Sequence, residues 1–189
     1  MNSPYYKRFT VSQKYKERVH DGLDLVGIDS KEIHATVNGT IVYAGWENEN
    51  NHKQGFGLYV VIKEDNSDLH FYYGHLSETR VRVGDYVRIT DVIGIEGSTG
   101  YSTGSHCHYC CRRNGIKGQD LNINNISGIP NIEWQTFDDG YRVNEEKNIH
   151  ELALKVIRGY YGNGEERKQK LGNLYNDVQR EVNRILGIY

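Results

Sequence analysis

Between about Ile33 and Ile95 the chain alternates short runs of hydrophobic and polar positions, and helical periodicity is absent. The segment GLYVVIKEDNSDLHFYYGHL reads as a strand, a polar turn and a second strand, and VRVGDYVRITDVIGIEG places a Gly-Asp turn before another short strand. In TVNGTIVYAGW an Asn-Gly pair precedes an alternating run, which is the usual signature of a β-hairpin. The pattern therefore predicts a mainly β protein built on an antiparallel sheet with short loops.

The hydrophobic period changes towards the C-terminus. After the polar stretch SGIPNIEWQTFDDGYRVNEEKN, the segment NIHELALKVIRG places four apolar side chains near one helix face, namely Ile149, Leu152, Val156 and Ile157. The segment NDVQREVNRILG repeats this pattern, and a charged segment that follows Gly-Asn-Gly lies between the two. We therefore predict a β domain over residues 1–130, a linker over 131–147 and a small C-terminal three-helix module over 148–189.

Composition and charge narrow the class of protein. A chain of 189 residues with 37% hydrophobic residues can bury a core, and a formal net charge of -2 offers no basic surface for nucleic acid. Fifteen tyrosines and 21 glycines beside two prolines favour short strands, turns and stacking surfaces for a polar ligand such as a glycan. No apolar run approaches the length of a membrane span. We expect neither a nucleic-acid partner nor a membrane partner.

The cysteines are clustered: Cys107, Cys110 and Cys111 lie within five residues. An odd number cannot pair completely, and neighbouring residues of a strand face opposite sides, so we expect no disulfide framework. CHYCC contains a CxxC spacing, but the chain has no second cysteine pair to complete a structural zinc site. We expect Cys110 to lie beside the histidines described next, and Cys107 and Cys111 to be small buried residues.

The densest candidate chemistry lies in GSTGYSTGSHCHYCC, where His106 and His108 follow a Gly/Ser/Thr-rich turn. On a β-strand both side chains face the same side, about 6.5–7 Å apart along the backbone. Upstream, HDGLDL supplies His20 and Asp24, with Gly22 between them to let the backbone bend. Two histidines and one carboxylate form a ligand set that catalytic zinc accepts, with a fourth position left for water.

The segments HDGLDL, YYGHL and GSTGYSTGSHCHY, in this order and at these spacings, resemble the lysostaphin/LytM-type zinc metallopeptidases, which cut peptides of peptidoglycan. GTIVYAGW, GLYVVIK and VRVGDYVRITDVIGIEGSTG follow the same family pattern, so the resemblance covers about residues 15–115. It implies a zinc endopeptidase with one ion per chain. The implied metal ligands are His20, Asp24 and His108. The implied catalytic residues are His75 and His106.

The resemblance implies separate chemical roles for the zinc ion and for the two catalytic histidines. Zinc lowers the pKa of water and polarises the scissile carbonyl. One of His75 and His106 takes the proton of the water and the other stabilises the oxyanion, in an order that the sequence leaves open. The scissile bond lies either in a cross-bridge or in the stem peptide. The alternative is a non-catalytic peptidoglycan-binding or assembly module with the same fold, although such relatives typically lose a ligand or a catalytic histidine.

The family usually has a Glu where Cys110 stands and an aliphatic residue where Cys107 stands. Neither difference removes an implied ligand or catalytic histidine, so the resemblance still implies activity. A thiol beside zinc could ligate the metal or become oxidised.

The C-terminal segments LALKVIRGYYGNGEERKQKL and YNDVQREVNRIL resemble the short three-helix cell-wall-binding repeats that are appended to certain phage lysozymes. The resemblance covers about residues 148–187 and implies binding of a cell-wall muropeptide. The expected contact residues are Tyr160, Tyr161, Asn163 and Arg167. The repeats often carry Lys-Trp where this chain has its Tyr-Tyr pair. The alternative is a helical cap or a dimerisation element.

Both resemblances point to peptidoglycan. The N-terminal segment MNSPYYKRFT lacks an apolar stretch, so we expect no Sec signal. Together these features indicate a phage-type endolysin that is made in the cytoplasm and reaches the cell wall through a holin.

Overall fold

The computed structural model describes residues 1–115 and 117–188, with the backbone alone for residues 140–147. The chain divides into two compact units, Met1–Gly140 and Tyr141–Tyr189. Each unit has its own cluster of buried apolar side chains. None of the helices in the described ranges is long and apolar enough to cross a lipid bilayer.

The first unit is built from β-strands. Those in its described part are β1 (Arg8–Gln13), β2 (Gly22–Gly27), β3 (Glu32–His34), β4 (Gly39–Trp46), β5 (Leu58–Glu64), β6 (Leu69–Gly74), β7 (Glu78–Thr79), β8 (Tyr86–Val87), β9 (Val92–Ile95), β10 (Cys107–Arg113), β11 (Gln119–Leu121) and β12 (Thr136–Asp138). A short helix, α1 (Ile123–Ser127), lies between β11 and β12 in the chain.

The main sheet has the strand order β12-β1-β2-β10-β6-β5-β4-β8, with β11 paired to β10, and β3, β9 and β7 form a smaller sheet. The pairings between these strands are antiparallel. The predicted fold class, a mainly antiparallel β-sheet domain, is confirmed. Strands β2 and β10 are neighbours near the middle of the main sheet, and they begin within the motifs HDGLDL and HCHYCC, with His20, Asp21 and His106 just before them.

Alternation along these two strands separates the core from the candidate site. Every second residue of β2 and β10 belongs to the main core, namely Leu23, Leu25, Cys107, Tyr109 and Cys111. The intervening residues, including Asp24, His108 and Cys110, therefore face the other side of the sheet. There Cys110 packs in a smaller aromatic cluster with Tyr59 and Tyr72. The predicted burial of Cys107 and Cys111 is confirmed.

The Asn-Gly pair does not form the predicted hairpin. β3 pairs with β9, whereas β4 pairs with β5 and β8, so the strands on either side of Asn38 belong to different sheets. A Cβ atom on Gly39 would lie 2.1 Å from the carbonyl oxygen of Lys63, so the glycine allows β4 and β5 to approach closely. The prediction failed because a dipeptide signal does not specify which strands pair.

Part of the segment predicted as a linker belongs to the β unit. Within residues 131–147, β12 adds to the edge of the main sheet and sets Thr136 opposite Thr10 of β1. Phe137 packs against the main core. The sequence pattern did not predict this edge strand, because a three-residue strand with one face in solvent needs few apolar residues.

The second unit is helical. Its elements are α2 (Gly140–Ile157), α3 (Gly164–Leu171), a 3₁₀ turn (Gly172–Leu174) and α4 (Tyr175–Ile185). Its buried cluster consists of Ala153, Val156, Leu171, Val178 and Val182. The three predicted helices are confirmed. α2 begins inside the segment that the sequence pattern assigned to the linker.

Candidate functional site

Strand register sets two of the implied metal ligands directly opposite each other. Asp24 on β2 is the cross-strand partner of His108 on β10, and Asp24 Oδ1 lies 2.8 Å from His108 Nδ1. His20 ends a turn that is closed by a backbone bridge to Lys16. His20 Nε2 lies 3.2 Å from Asp24 Oδ1 and 3.2 Å from His108 Nδ1. The three ligand atoms therefore converge on one point.

Hydrogen bonds on the far side of each ring orient the two imidazoles. His20 Nδ1 donates to the carbonyl oxygen of Lys14 at 2.9 Å, and His108 Nε2 donates to Asp21 Oδ1 at 3.1 Å. In the neutral rings, the nitrogens that face each other, His20 Nε2 and His108 Nδ1, then both carry lone pairs. Two lone pairs and a carboxylate oxygen at these distances repel one another unless a cation, either a proton or a metal ion, lies between them.

The donor set fits zinc. A tetrahedral ion with bonds of about 2.1 Å keeps neighbouring ligand atoms about 3.4 Å apart. The observed separations of 2.8, 3.2 and 3.2 Å are close to this value. Two imidazoles and one carboxylate also leave a fourth coordination position open, as in catalytic zinc sites. His20, Asp24 and His108 are the residues that would hold the ion.

The two implied catalytic histidines flank this group. His106 Nε2 lies 3.6 Å from Asp24 Oδ2, and the ring centroids of His75 and His106 are 4.7 Å apart. His75 Nδ1 donates to the carbonyl oxygen of Thr99, and His106 Nδ1 donates to that of Gly104, both at 2.8 Å. Each neutral ring therefore keeps an unprotonated Nε2 that can accept a proton. The structure thus brings all five implied site residues together.

His75 combines two features that are typical of functional sites. Its φ angle of 63° lies in the left-handed region, which residues other than glycine seldom adopt, and its amide donates to the carbonyl oxygen of Phe56 at 2.8 Å. Burial, with the nearby His106 and His108 rings, lowers the pKa of His75 to about 4. The His75 imidazole is therefore neutral at neutral pH.

Two carboxylates, the buried Asp24 and the half-buried Asp21, balance the charge around His108. Burial alone would raise the pKa of Asp24 and Asp21, but their hydrogen bonds with His108 hold both pKa values below the ordinary value. Burial likewise favours the neutral His108 ring, but the same two carboxylates raise its pKa. The site therefore concentrates negative charge around a nitrogen that binds a cation.

Sequence reasoning missed Asp21 and Arg112. Asp21 contacts His108 on the side away from the other ligands, and Asp21 Oδ2 accepts a hydrogen bond from Arg112 Nη2 at 2.9 Å. The Arg112 guanidinium lies over the rings of Phe56 and Tyr72, 5.5 and 5.0 Å from their centroids. The link between these two residues appears only once the register is known, because the antiparallel pairing that sets Asp24 opposite His108 also brings position 21 close to position 112.

Gly22 has a different role from the one expected. It lies within strand β2 opposite Cys110 rather than at a bend. A Cβ atom on Gly22 would lie 2.7 Å from His108 Nε2 and 2.8 Å from the carbonyl oxygen of Tyr109. The glycine therefore leaves the space that the His108 ring occupies.

Cys110 lies beside the site, as expected from strand alternation. Its thiol forms a second close group of possible ligand atoms with Asp21 and His108. Burial raises the pKa of the Cys110 thiol, although its hydrogen bond with His108 acts in the opposite direction. At neutral pH the thiol is therefore protonated and is a weak ligand and a weak acceptor.

In the helical unit, two of the four expected wall-binding residues meet at one cavity. Asn163 and Arg167 line a cavity of about 440 Å³. Arg167 donates to the carbonyl oxygen of Gly162 at 3.1 Å, to Asn163 Oδ1 at 3.2 Å and to Gln179 Oε1 at 2.9 Å. The guanidinium is therefore held in a fixed position at the cavity wall.

The other two expected wall-binding residues lie apart from that lining. Tyr161 packs against the core of the helical unit. The Tyr160 side chain is 71% exposed. Tyr160 therefore offers an open ring face, whereas Tyr161 is partly structural.

Family models match both units. The model of Peptidase family M23 matches residues 18–122, which is more than half of the chain, and the CW_7 repeat matches residues 150–186. Among curated proteins, lysostaphin of Staphylococcus staphylolyticus is 38% identical over 91 residues, which are 48% of this chain and 18% of lysostaphin. The DD-carboxypeptidase/endopeptidase Mpg of Neisseria meningitidis is 38% identical over 142 residues, 75% of this chain and 30% of Mpg. The chain thus spans less than a third of the length of these relatives.

Solved structures agree with this match. The catalytic domain of a mutant of the prophage-encoded M23 protein EnpA from Enterococcus faecalis has a TM-score of 0.51 and 32% identity, covering 60% of this chain and 88% of that chain. Lysostaphin from Staphylococcus simulans also has a TM-score of 0.51, with 31% identity over 63% of this chain and 50% of that chain. With the convergent His/Asp/His group inside the matched region, these similarities show that the chain belongs to peptidase family M23, a family of zinc metallopeptidases.

Proposed function

We propose that this chain is a zinc-dependent endopeptidase that hydrolyses peptide bonds in bacterial peptidoglycan. The observation that carries the proposal is the convergence of His20 Nε2, Asp24 Oδ1 and His108 Nδ1, with His75 and His106 beside them. Membership of family M23 supports the peptidase reaction. The similarity to lysostaphin and Mpg supports peptidoglycan as the substrate class.

When bound at His20, Asp24 and His108, zinc supplies a Lewis acid that polarises a carbonyl group and makes water more acidic. The remaining steps are proton transfers by the chain's own residues. We assign His106 as the acceptor of the water proton, because the Asp24 carboxylate 3.6 Å from its Nε2 stabilises the positive charge that the ring gains. The His106 ring then returns that proton to the nitrogen of the leaving amine.

His75 is assigned a different part in the same reaction. Its lowered pKa disfavours protonation, so its Nε2 keeps a lone pair that can accept a hydrogen bond from the attacking water. The hydrogen bond from Nδ1 to the Thr99 carbonyl fixes the direction of that lone pair. His75 would therefore orient the water while His106 takes its proton.

For the helical unit we propose binding of a cell-wall muropeptide. The CW_7 match supports this function, and so does the cavity lined by Asn163 and Arg167. Its wall combines fixed polar groups with the apolar side chains of Val156 and Val182, which suits a ligand that has both sugar hydroxyls and a peptide stem. The exposed Tyr160 ring adds a stacking surface.

We also propose that the protein acts as a phage-type endolysin, made in the cytoplasm and released to the wall through a holin. The pairing of an M23 peptidase with a CW_7 repeat supports this role. The similarity to the prophage-encoded protein EnpA supports it further.

The test is to incubate the zinc-loaded protein with purified sacculi of several wall chemotypes and to identify newly freed amino termini by mass spectrometry. We expect new amino termini from a cross-bridge or a stem peptide in at least one chemotype, and none with the His108→Ala variant. If the protein bound the walls but released no new amino termini from any chemotype, that result would instead support a non-catalytic wall-binding module.

A further inference from the structure

We propose that Asp21 is a positioning residue of the metal site: its carboxylate fixes the His108 ring so that Nδ1 faces His20 and Asp24. The inference rests on the proposed function, because it concerns the zinc site. The contact that carries it is the 3.1 Å separation of Asp21 Oδ1 and His108 Nε2. Asp21 does not belong to the convergent ligand group itself.

The position of the Asp21 carboxylate is fixed from two sides. Oδ1 accepts from His108 Nε2, and Oδ2 accepts from Arg112 Nη2 at 2.9 Å. Arg112 is held in turn, since its Nε lies 2.7 Å from Asp120 Oδ1 and its guanidinium lies over two aromatic rings. Rotation of the carboxylate would break both of its hydrogen bonds. The result is a row of side chains of alternating charge, Asp120, Arg112 and Asp21, that ends at the His108 ring.

His108 needs this partner because a neutral imidazole has two tautomers. Only the tautomer with its proton on Nε2 leaves a lone pair on Nδ1, the nitrogen that faces His20 and Asp24. A carboxylate that accepts from Nε2 selects this tautomer, fixes the ring plane and makes Nδ1 a stronger ligand. Cys110 also lies close to His108, but a thiol is a much weaker acceptor than a carboxylate.

The Asp21→Asn variant tests the role because an amide has one acceptor end and one donor end. The site presents two donors to residue 21, His108 Nε2–H and Arg112 Nη2–H. An amide satisfies only one of them, so the ring loses its fixed partner or takes the wrong tautomer. We expect zinc affinity, measured by competition with a chromophoric chelator, to fall about 10- to 100-fold.

Two further variants separate positioning from general destabilisation. Asp120→Asn removes a carboxylate from the other side of Arg112 without touching His108, and we expect it to bind zinc with nearly wild-type affinity. Asp21→Glu restores a carboxylate, and we expect it to recover part of the lost affinity. In zinc-loaded protein with ¹⁵N-labelled histidine, the Nε2–H resonance of His108 should shift in Asp21→Asn and stay in place in Asp120→Asn.

The outcomes are distinct. Wild-type affinity in Asp21→Asn, or an equal loss in Asp120→Asn, would overturn the positioning role while leaving the proposed function intact. Two zinc ions per wild-type chain and one in Asp21→Asn would also overturn it, because Asp21 would then be a ligand of a second ion. Absence of zinc binding by the wild-type chain would remove the proposed function itself.

Discussion

Asp24 and His108 are cross-strand partners in the middle of the main sheet, and their ligand atoms are 2.8 Å apart. Because side chains alternate along a strand, a shift of one residue in the pairing register of β2 and β10 would turn the side chain of either Asp24 or His108 into the core. The metal site and the register of these strands are therefore set together. The apolar residues that alternate with the ligands hold the site in place.

The first prediction concerns the metal. His108→Ala removes one of three converging ligand atoms, so we expect it to lose stoichiometric zinc after dialysis. His75→Ala should retain one zinc per chain, since His75 lies outside the convergent group. Elemental analysis of both purified variants checks this, and a full zinc content in His108→Ala would refute the ligand assignment.

The second prediction concerns catalysis. We expect His106→Ala and His75→Asn to keep the fold and the zinc, and to lose about 10²- to 10⁴-fold in the rate of peptide hydrolysis. Asn is the better replacement at position 75, because it tolerates the left-handed backbone found there. Rates are measured on a soluble peptide at saturating zinc. A wild-type rate in either variant would show that this histidine has no chemical role.

The third prediction concerns Gly22. A methyl group at this position would lie 2.7 Å from His108 Nε2, so Gly22→Ala should displace the ring and weaken zinc binding. Gly45→Ala is the matched control in another strand of the same sheet, because its Cβ would have its nearest neighbour at 3.8 Å. Chelator competition compares the two variants. Equal zinc affinities would contradict the packing role assigned to Gly22.

The fourth prediction concerns the pH dependence of the helical unit. Glu181 accepts hydrogen bonds from His150 and Arg184. Although burial acts in the opposite direction, these bonds hold the pKa of Glu181 below its ordinary value of 4.5. A lowered folded-state pKa contributes stability that is present above the ordinary value and is lost as the pH falls through the folded value.

Hydrogen exchange of the α2 and α4 amides in the full chain measures this effect. We expect protection to fall below about pH 4.5 in the wild type and to change less in Glu181→Gln, which lacks the titrating group. Identical pH profiles in the two proteins would show that the Glu181 contacts do not stabilise the unit.

The fifth prediction concerns removal of the helical unit. A chain that ends at Gly140 keeps β12 and the 2.8 Å hydrogen bond from the Ser3 amide to Asp139, so we expect it to fold. It should cleave a soluble peptide at an unchanged rate and act more weakly on intact walls. A chain that ends at Pro130 loses that edge strand and should melt at a lower temperature.

Sedimentation separates the competing roles of the helical unit. If the unit dimerises the protein, its removal would leave a monomer of 140 residues in place of a dimer of two 189-residue chains, so the mass per particle would fall to well under half. If the unit binds the wall, as proposed, the mass per particle would fall only by that of the missing segment. The helical unit fused to a fluorescent reporter would then sediment with wall fragments.

The core of the candidate site could be predicted because its residue types and spacings are informative on their own. His106 and His108 share a strand face by alternation, and His20 and Asp24 add a zinc-type donor set. Asp21 escaped prediction because its role depends on which residues of the neighbouring strand oppose it. The register of two strands that lie far apart in sequence cannot be read from either strand alone.

The fold, like the site, could be predicted only in part. Strands β5 and β6 follow from a local pattern, since a polar turn connects two runs of apolar residues that then pair. The partner of β3 is β9, which lies far along the chain, and the local Asn-Gly signal predicted the wrong neighbour. β12 was missed because pairing at a sheet edge is decided by the strand it joins rather than by its own composition.

The hydrogen bonds behind the site histidines bear on how this sequence can change during evolution. Three of the site histidines donate to main-chain carbonyls: His20 to that of residue 14, His75 to that of residue 99 and His106 to that of residue 104. Any amino acid at those positions provides the same acceptor. His108 instead donates to a side chain, Asp21. A substitution at position 21 should therefore be accompanied by a new acceptor near His108, and position 110 on the same strand face lies close enough to supply one.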